Sequence, residues 1–294
     1  MKPFIVEAPA TVSEAVDRLH ALGPTACLLA GGTALLPRLK RGDLRPAHLV
    51  WLGQVHELRG IHHRDGELVI GALTSLHQLT GDPQVARLLP ALHALLPRVA
   101  NVRIRTMATL GGNLAQRDAG FDPPVLLAAL GTRASLVGPG GVRTVEVTRL
   151  ADSDGLATNE VLTEVAVPIP AAGTGAAVVK HSPRSWTDRS TVTAAAMVAF
   201  GPDERVQAAR ITLGGVGSRI IHAVAAQRTL LNSRLTVDRV AEASRAAATD
   251  VRPSADVRGG EAYKRAMAEV FVRRALITAA QAARQRKILL AELH

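Results

Sequence analysis

Aromatic side chains are scarce in this chain: Trp, Tyr and Phe together make up 2% of its 294 residues. So few rings leave little surface for stacking bases. The arginines are also dispersed along helices and loops, so the net charge of +10 is not read as a nucleic-acid footprint. Cysteine occurs once, as Cys27. A single thiol excludes an internal disulfide, a cysteine-ligated iron–sulfur cluster and a cysteine-rich zinc site, since each needs several sulfur ligands. The ten histidines include the pair His62 and His63 but no HExxH spacing, so no metal site is expected. No apolar run approaches the ~20 residues that span a bilayer. Glu7 interrupts a signal-peptide reading, and the expected location is the cytoplasm. A GxGxxG fingerprint and a Walker lysine are missing too.

What is present is a hydrophobic fraction of 47%, enough for a sizeable core and, at this length, for two domains. Basic residues outnumber acidic ones by 35 to 25, which suits an acidic ligand or an acidic partner surface. The opening TVSEAVDRLHALG has Thr11 and Glu14 at capping-box spacing, an apolar stripe through Val12, Ala15, Val16, Leu19 and Leu22, and a stop at Gly23. ACLLAGGTALLPRLKRG then reads as strand, turn and helix. HLVWL and ELVIGAL are strand candidates, and SLHQL and PQVARLLPALHALL are helical. VRIRTMATLGGNLA is read as a loop segment. A PPVLLAAL helix precedes strands ASLVG and VRTVEV, and EVLTEVAVPIP closes the first half. Beyond it, AAVVKHS, TVTAAAMVAF and ARITLGGVG alternate as antiparallel strands, followed by helical periodicity around residues 223–231, 237–249 and 260–292. The expected organisation is α+β, divided at 1–170 and 171–294.

Two glycine pairs carry the chemical interest. Ala30, Gly31, Gly32 and Thr33 lie between a strand and a helix, where bare backbone N–H groups and the helix dipole can meet a phosphate; a tight turn without a ligand is the competing reading. Thr109, Leu110, Gly111, Gly112 and Asn113 form the second pair, flanked by a hydroxyl and an amide, and are read as a second backbone anion nest. Two nests suit the two phosphates of a dinucleotide. Arg87, Arg98, Arg103, Arg105 and Arg117 lie between Asp82 and Asp118 with no acidic residue among them, either as a positive setting or as a solvated face. Asp122, nine positions after Asn113, is placed to accept from a ribose or to cap the helix ahead of Pro123.

AGGTALLPRLK followed by VRIRTMATLGGNLA and Asp122 resembles the FAD-binding medium subunits of carbon monoxide dehydrogenase and related molybdenum hydroxylases, which are themselves similar to the flavin domain of xanthine dehydrogenase. The likeness continues through NEVLTEVAVPIP, KHSPRSWTD, TLGGVG and AYKRAMAEVFVRRAL. It implies a two-lobed, PCMH-type FAD-binding domain, with lobes of about 1–53 and 54–170, and a smaller α+β C-terminal domain with an antiparallel sheet and helices.

By the same resemblance, Leu29, Ala30, Gly31, Gly32, Thr33, Ala34 and Leu35, together with Thr109, Leu110, Gly111, Gly112 and Asn113, would hold the pyrophosphate and ribityl chain. Asp122 would lie near the adenosine end, and Val161, Leu162 and Lys180 near the isoalloxazine, with Trp186 against a face of that ring. Ala34 and Ala119 depart from the family pattern, which commonly has a polar residue and a proline there. The flavin is expected to be non-covalent, with no catalytic acid–base residue and no metal on this chain. The molybdenum cofactor would belong to a large partner and the [2Fe–2S] clusters to a small one, in a dimer of heterotrimers that passes electrons to an external acceptor. A self-sufficient flavin oxidoreductase and a scaffold that has lost its cofactor are the competing classes.

Overall fold

The computed structural model describes residues 3–150 and 155–291, with side chains through residue 286. Its elements begin β1 (Ile5–Glu7), α1 (Val12–Leu22), β2 (Ala26–Leu29), α2 (Leu35–Arg41), β3 (His48–Trp51), β4 (Ile61–Arg64) and β5 (Glu67–Gly71). Short helices follow: α3 (Leu76–Gly81), α4 (Pro83–Leu88), α5 (Pro90–Leu95), α6 (Val102–Met107), α7 (Leu110–Ala115) and α8 (Asp122–Ala129). Then come β6 (Arg133–Gly138), β7 (Gly141–Glu146), β8 (Val161–Pro168), β9 (Thr174–His181), β10 (Val192–Phe200), β11 (Val206–Gly214) and β12 (Ile221–His222). The helices α9 (Val224–Leu230), α10 (Val237–Asp250) and α11 (Glu261–Ala291) end the chain. Packing groups these into two compact units that interleave in sequence. One comprises Met1–Pro83, Asn101–Arg117 and Thr132–Pro168; the other comprises Gln84–Ala100, Asp118–Gly131 and Ile169–His294.

In the first unit, α1 starts where the capping signal puts it. Thr11 Oγ1 accepts from the Glu14 N–H at 3.1 Å, and Glu14 Oε2 reaches back to the Ala10 N–H at 2.8 Å. Its stripe of Ala15, Val16 and Leu19 is buried. These side chains pack with Ala26, Val50, Leu58, Leu73 and Val161, so a single core joins a parallel sheet of order β1-β3-β2 to an antiparallel sheet of order β4-β5-β8-β6-β7. The segment expected as a loop between 102 and 115 instead forms α6 and α7. Each is six residues long, too short to show a helical stripe, and each is started by a side-chain cap, Asn101 for α6 and Thr109 for α7.

The second unit is built on the antiparallel sheet β12-β11-β10-β9. Val192, Ala194, Ala196 and Val198 of β10 face the helical layer, packing with Ala243, Val272 and Leu276. Helix α11 crosses so closely that a Cβ on Gly175 would lie 2.1 Å from the Ala279 carbonyl oxygen. The opposite face carries Lys180, Thr193 and Thr212 toward α8, where Thr212 Oγ1 donates to the Val125 carbonyl at 2.7 Å. Covering both faces explains why TVTAAAMVAF is almost continuously apolar. All eight residues of α8 are buried, and Val125, Leu126 and Leu127 are fully enclosed, each contributing about 1.5–3 kcal/mol by area burial.

Candidate functional site

The loop Ala30–Ala34 carries the chain from β2 to α2. Leu29, the last residue of β2, pairs in register with Trp51, and Leu35 turns inward onto Leu39 and Leu49. Between them, Gly31 has no room for a side chain, since a Cβ would lie 1.7 Å from the Met107 carbonyl oxygen, and Gly32 adopts φ +70°. The turn closes through the Leu36 N–H to the Gly32 carbonyl at 2.9 Å. The N–H groups of Gly31, Gly32, Thr33 and Ala34 find no acceptor among the described residues. Ala34 flanks α2 without a side-chain cap, so a small side chain leaves those donors uncovered.

The second glycine pair differs. Every N–H from Leu110 to Asn113 is already paired: Leu110 donates to Thr74 O at 3.0 Å, Gly111 to Ala72 O at 2.9 Å, Gly112 to Thr109 Oγ1 at 3.1 Å and Asn113 to Thr109 O at 2.9 Å. The expected second anion nest is therefore not a nest of free donors. Glycine is needed at 111 for close packing instead, because a Cβ there would lie 2.6 Å from the Ala72 Cβ. What this segment leaves open is the Asn113 side chain, whose Oδ1 is buried with no hydrogen-bond partner among the described residues. The two glycine pairs do meet: a Cβ on Gly112 would stand 3.6 Å from the Ala30 Cβ. Val161 and Leu162 are fully and almost fully buried in β8, opposite Val137 and Leu136, and Val161 belongs to the core beneath α1. Beside them, the Arg143 guanidinium, 2.5 Å from Glu160 Oε1, holds the Glu160 carboxyl below its usual range.

Within the second unit, Asp122 and Lys180 find each other. Lys180 Nζ lies 2.7 Å from Asp122 Oδ2, both side chains are 4% exposed, and Nζ also donates to the Arg98 carbonyl at 3.2 Å. Thr193 Oγ1 donates to Asp122 Oδ1 at 2.5 Å and sits 2.8 Å from Ser190 Oγ. Asp122 therefore does not cap α8: Phe121 holds the cap position without a side-chain bond, and the carboxylate points into the sheet. The residue expected near the adenosine end and the one expected near the isoalloxazine are thus in direct contact with each other. Trp186, in contrast, is 69% exposed. Ala119 is buried, and its carbonyl accepts from the Gly215 N–H at 2.7 Å. Ser190 and Thr193 were missed from the sequence, although a threonine at an inward position of an apolar strand is a signal that a buried polar partner lies opposite.

Comparison with known proteins decides the family. The model described as "FAD binding domain in molybdopterin dehydrogenase" matches residues 2–170, and that described as "CO dehydrogenase flavoprotein C-terminal domain" matches residues 177–279. This chain belongs to that family of FAD-binding subunits. The carbon monoxide dehydrogenase medium chain of Hydrogenophaga pseudoflava is 37% identical over 93% of this chain and 96% of its own. Subunit alpha of the 6-hydroxypseudooxynicotine dehydrogenase complex of Paenarthrobacter nicotinovorans is 32% identical over 98% of both. Among solved structures, carbon monoxide dehydrogenase from H. pseudoflava superposes with a TM-score of 0.90 at 38% identity, covering 95% of this chain and 98% of that one. Quinoline 2-oxidoreductase from Pseudomonas putida 86 gives 0.87 at 34%, covering 96% and 99%.

The chain is thus an oxidoreductase subunit with FAD as its cofactor. Its residues fit that group: four unpaired N–H groups in Gly31–Ala34 suit a phosphate, and the buried, unpartnered Asn113 Oδ1 suits a donor. Among the described residues, no helix is long and apolar enough to cross a membrane, and no group of three or more His, Cys, Asp or Glu could hold a metal ion.

Proposed function

We propose that this subunit holds FAD non-covalently and relays electrons from a partner's [2Fe–2S] clusters to an external acceptor. In this reading the molybdenum cofactor sits on a large subunit, the assembly is a dimer of heterotrimers, and the setting is the cytoplasm. The observation that carries it is the unpaired N–H cradle of the 30–34 loop, lying in a chain whose residues 2–170 and 177–279 match the two family models and 93% of which aligns with a medium chain. The relatives named above belong to enzymes for carbon monoxide, 6-hydroxypseudooxynicotine and quinoline, which favours substrate selection by another subunit over selection by this one.

Residues 1–170 would form the flavin module, in lobes of about 1–53 and 54–170, and 171–294 its C-terminal companion. The N–H groups of Gly31–Ala34 bind one phosphate, assisted by the positive end of α2. Leu29 and Leu35 anchor the loop at its two ends. Thr109, Leu110, Gly111 and Gly112 hold the second loop rigid against the first, and Asn113 accepts a cofactor hydroxyl. Val161 and Leu162 form an apolar wall, Trp186 covers a ring face, and Lys180, oriented by Asp122, sets local charge near the isoalloxazine. Bound FAD would supply the exchange between two-electron and one-electron chemistry, while these residues bind it, orient it and limit water.

The test is anaerobic flavin reduction by candidate substrates, with this chain alone and in the complex with its partner subunits. Reduction is expected only in the complex; rapid reduction of the chain alone would indicate a self-sufficient flavoenzyme. Acid precipitation should release the yellow colour into the supernatant, and colour retained by the precipitate would contradict non-covalent binding.

A further inference from the structure

Helix α6 stands apart from its surroundings. Alone among the described α-helices of the first unit, it has no buried residue. Its apolar side chains face solvent instead: Val102 is 51% exposed, Ile104 39% and Met107 57%. Ile104 and Met107 are three apart and Arg103 is four before Met107, so these three share one side of the helix. Nor is the helix loosely held. Asn101 Oδ1 caps it through the Ile104 N–H at 3.0 Å, and the Ala108 carbonyl behind it accepts from the Leu76 N–H at 2.9 Å. The Met107 carbonyl also closes on Gly31, which places α6 beside the flavin loop.

We infer that the exposed face of α6 is the seat of another subunit, one presenting an apolar centre with an acidic rim. The charge is one-sided: Asn101–Arg117 carries Arg103, Arg105 and Arg117 and no carboxylate, in a chain of net charge +10. An exposed apolar face that also carries Arg103 matches the composition of protein interfaces, where arginine is enriched and lysine depleted. A six-residue helix fixed by main-chain bonds has a set shape, which favours a shaped protein surface over a lipid one. The inference rests on the multi-subunit reading above.

The test uses the full-length chain, tagged and produced together with its partner subunits, as wild type, Ile104→Glu and Arg103→Glu. Each variant is expected to lower recovered partner by about tenfold or more, Arg103→Glu with a flattened salt dependence, while flavin content and thermal midpoint stay at wild-type values. Should Ile104→Glu fail to fold, Arg103→Glu, at an exposed charged position, decides. Unchanged partner recovery overturns the inference. So does loss of flavin in place of partner, or loss of binding to phosphatidylglycerol vesicles with assembly intact. Wild-type chain that recovers partners without flavin defeats the proposed function alone; wild-type chain that recovers no partner defeats both.

Discussion

The two Gly-Gly segments look alike in sequence and differ in what they leave unpaired. In Ala30–Ala34 the backbone donors from Gly31 to Ala34 have no acceptor among the described residues; in Leu110–Asn113 every donor is bonded to Thr74, Ala72 or Thr109. Glycine serves the first loop by clearing the approach of Met107 and leaving N–H groups bare, and the second by letting α7 pack against Ala72. A glycine pair therefore signals a ligand site only when its hydrogen bonds are unaccounted for. The Asp122–Lys180 pair belongs with the second loop, since its polar atoms are already engaged.

The largest expected effect probes that engaged class. Asp122→Ala leaves Lys180 buried without its counter-charge, and urea unfolding should show a loss of about 3–5 kcal/mol. If stability is unchanged and only FAD affinity falls, Asp122 is a ligand contact and the grouping fails. Gly31→Ala comes next: its Cβ meets the Met107 backbone, so the chain should lose about 3 kcal/mol and its flavin absorbance together. Normal flavin content in that variant would break the contrast from the other side.

A control away from both loops is Asp256, in the turn before α11. Burial alone would raise its pKa, but hydrogen bonds from Arg258 and Lys264 outweigh burial and hold it at about 2, against an ordinary 3.8. A depressed carboxyl stabilises the fold above its unfolded pKa, and that contribution fades as pH falls from about 4 to about 2. Asp256→Asn should lower stability at pH 7 by about 2 kcal/mol and remove this part of the acid sensitivity, with flavin retained. The smallest effect should come from Thr109→Ala, which deletes the α7 cap at about 1 kcal/mol. FAD affinity should follow stability only weakly; a loss of affinity far beyond that would mean the hydroxyl itself meets the cofactor.

Much of the architecture was written in local pattern. The capping signal at Thr11, the helix through PPVLLAAL and the strand TVTAAAMVAF appear where periodicity and caps put them. The helices α6 and α7 did not show, because two six-residue turns, one rich in arginine and β-branched residues and one in glycine, have neither propensity nor stripe. In the site, both glycine pairs were legible as places where the backbone must come close. Which of them keeps free donors was not, since that depends on Ala72 and Thr74, brought in from more than thirty residues away. The Asp122–Lys180 pairing is hidden for the same reason: its partners are 58 residues apart and meet only once α8 lies on β9 and β10.

Amide hydrogen exchange on the chain with and without FAD tests the central claim most directly, because it reads the same N–H groups on which the contrast depends. Without FAD, residues 31–34 should exchange quickly and residues 110–113 slowly; adding FAD should slow 31–34 by at least about tenfold and leave 110–113 nearly unchanged. Slow exchange at 31–34 before FAD is added, or no change there when it binds, would contradict the account.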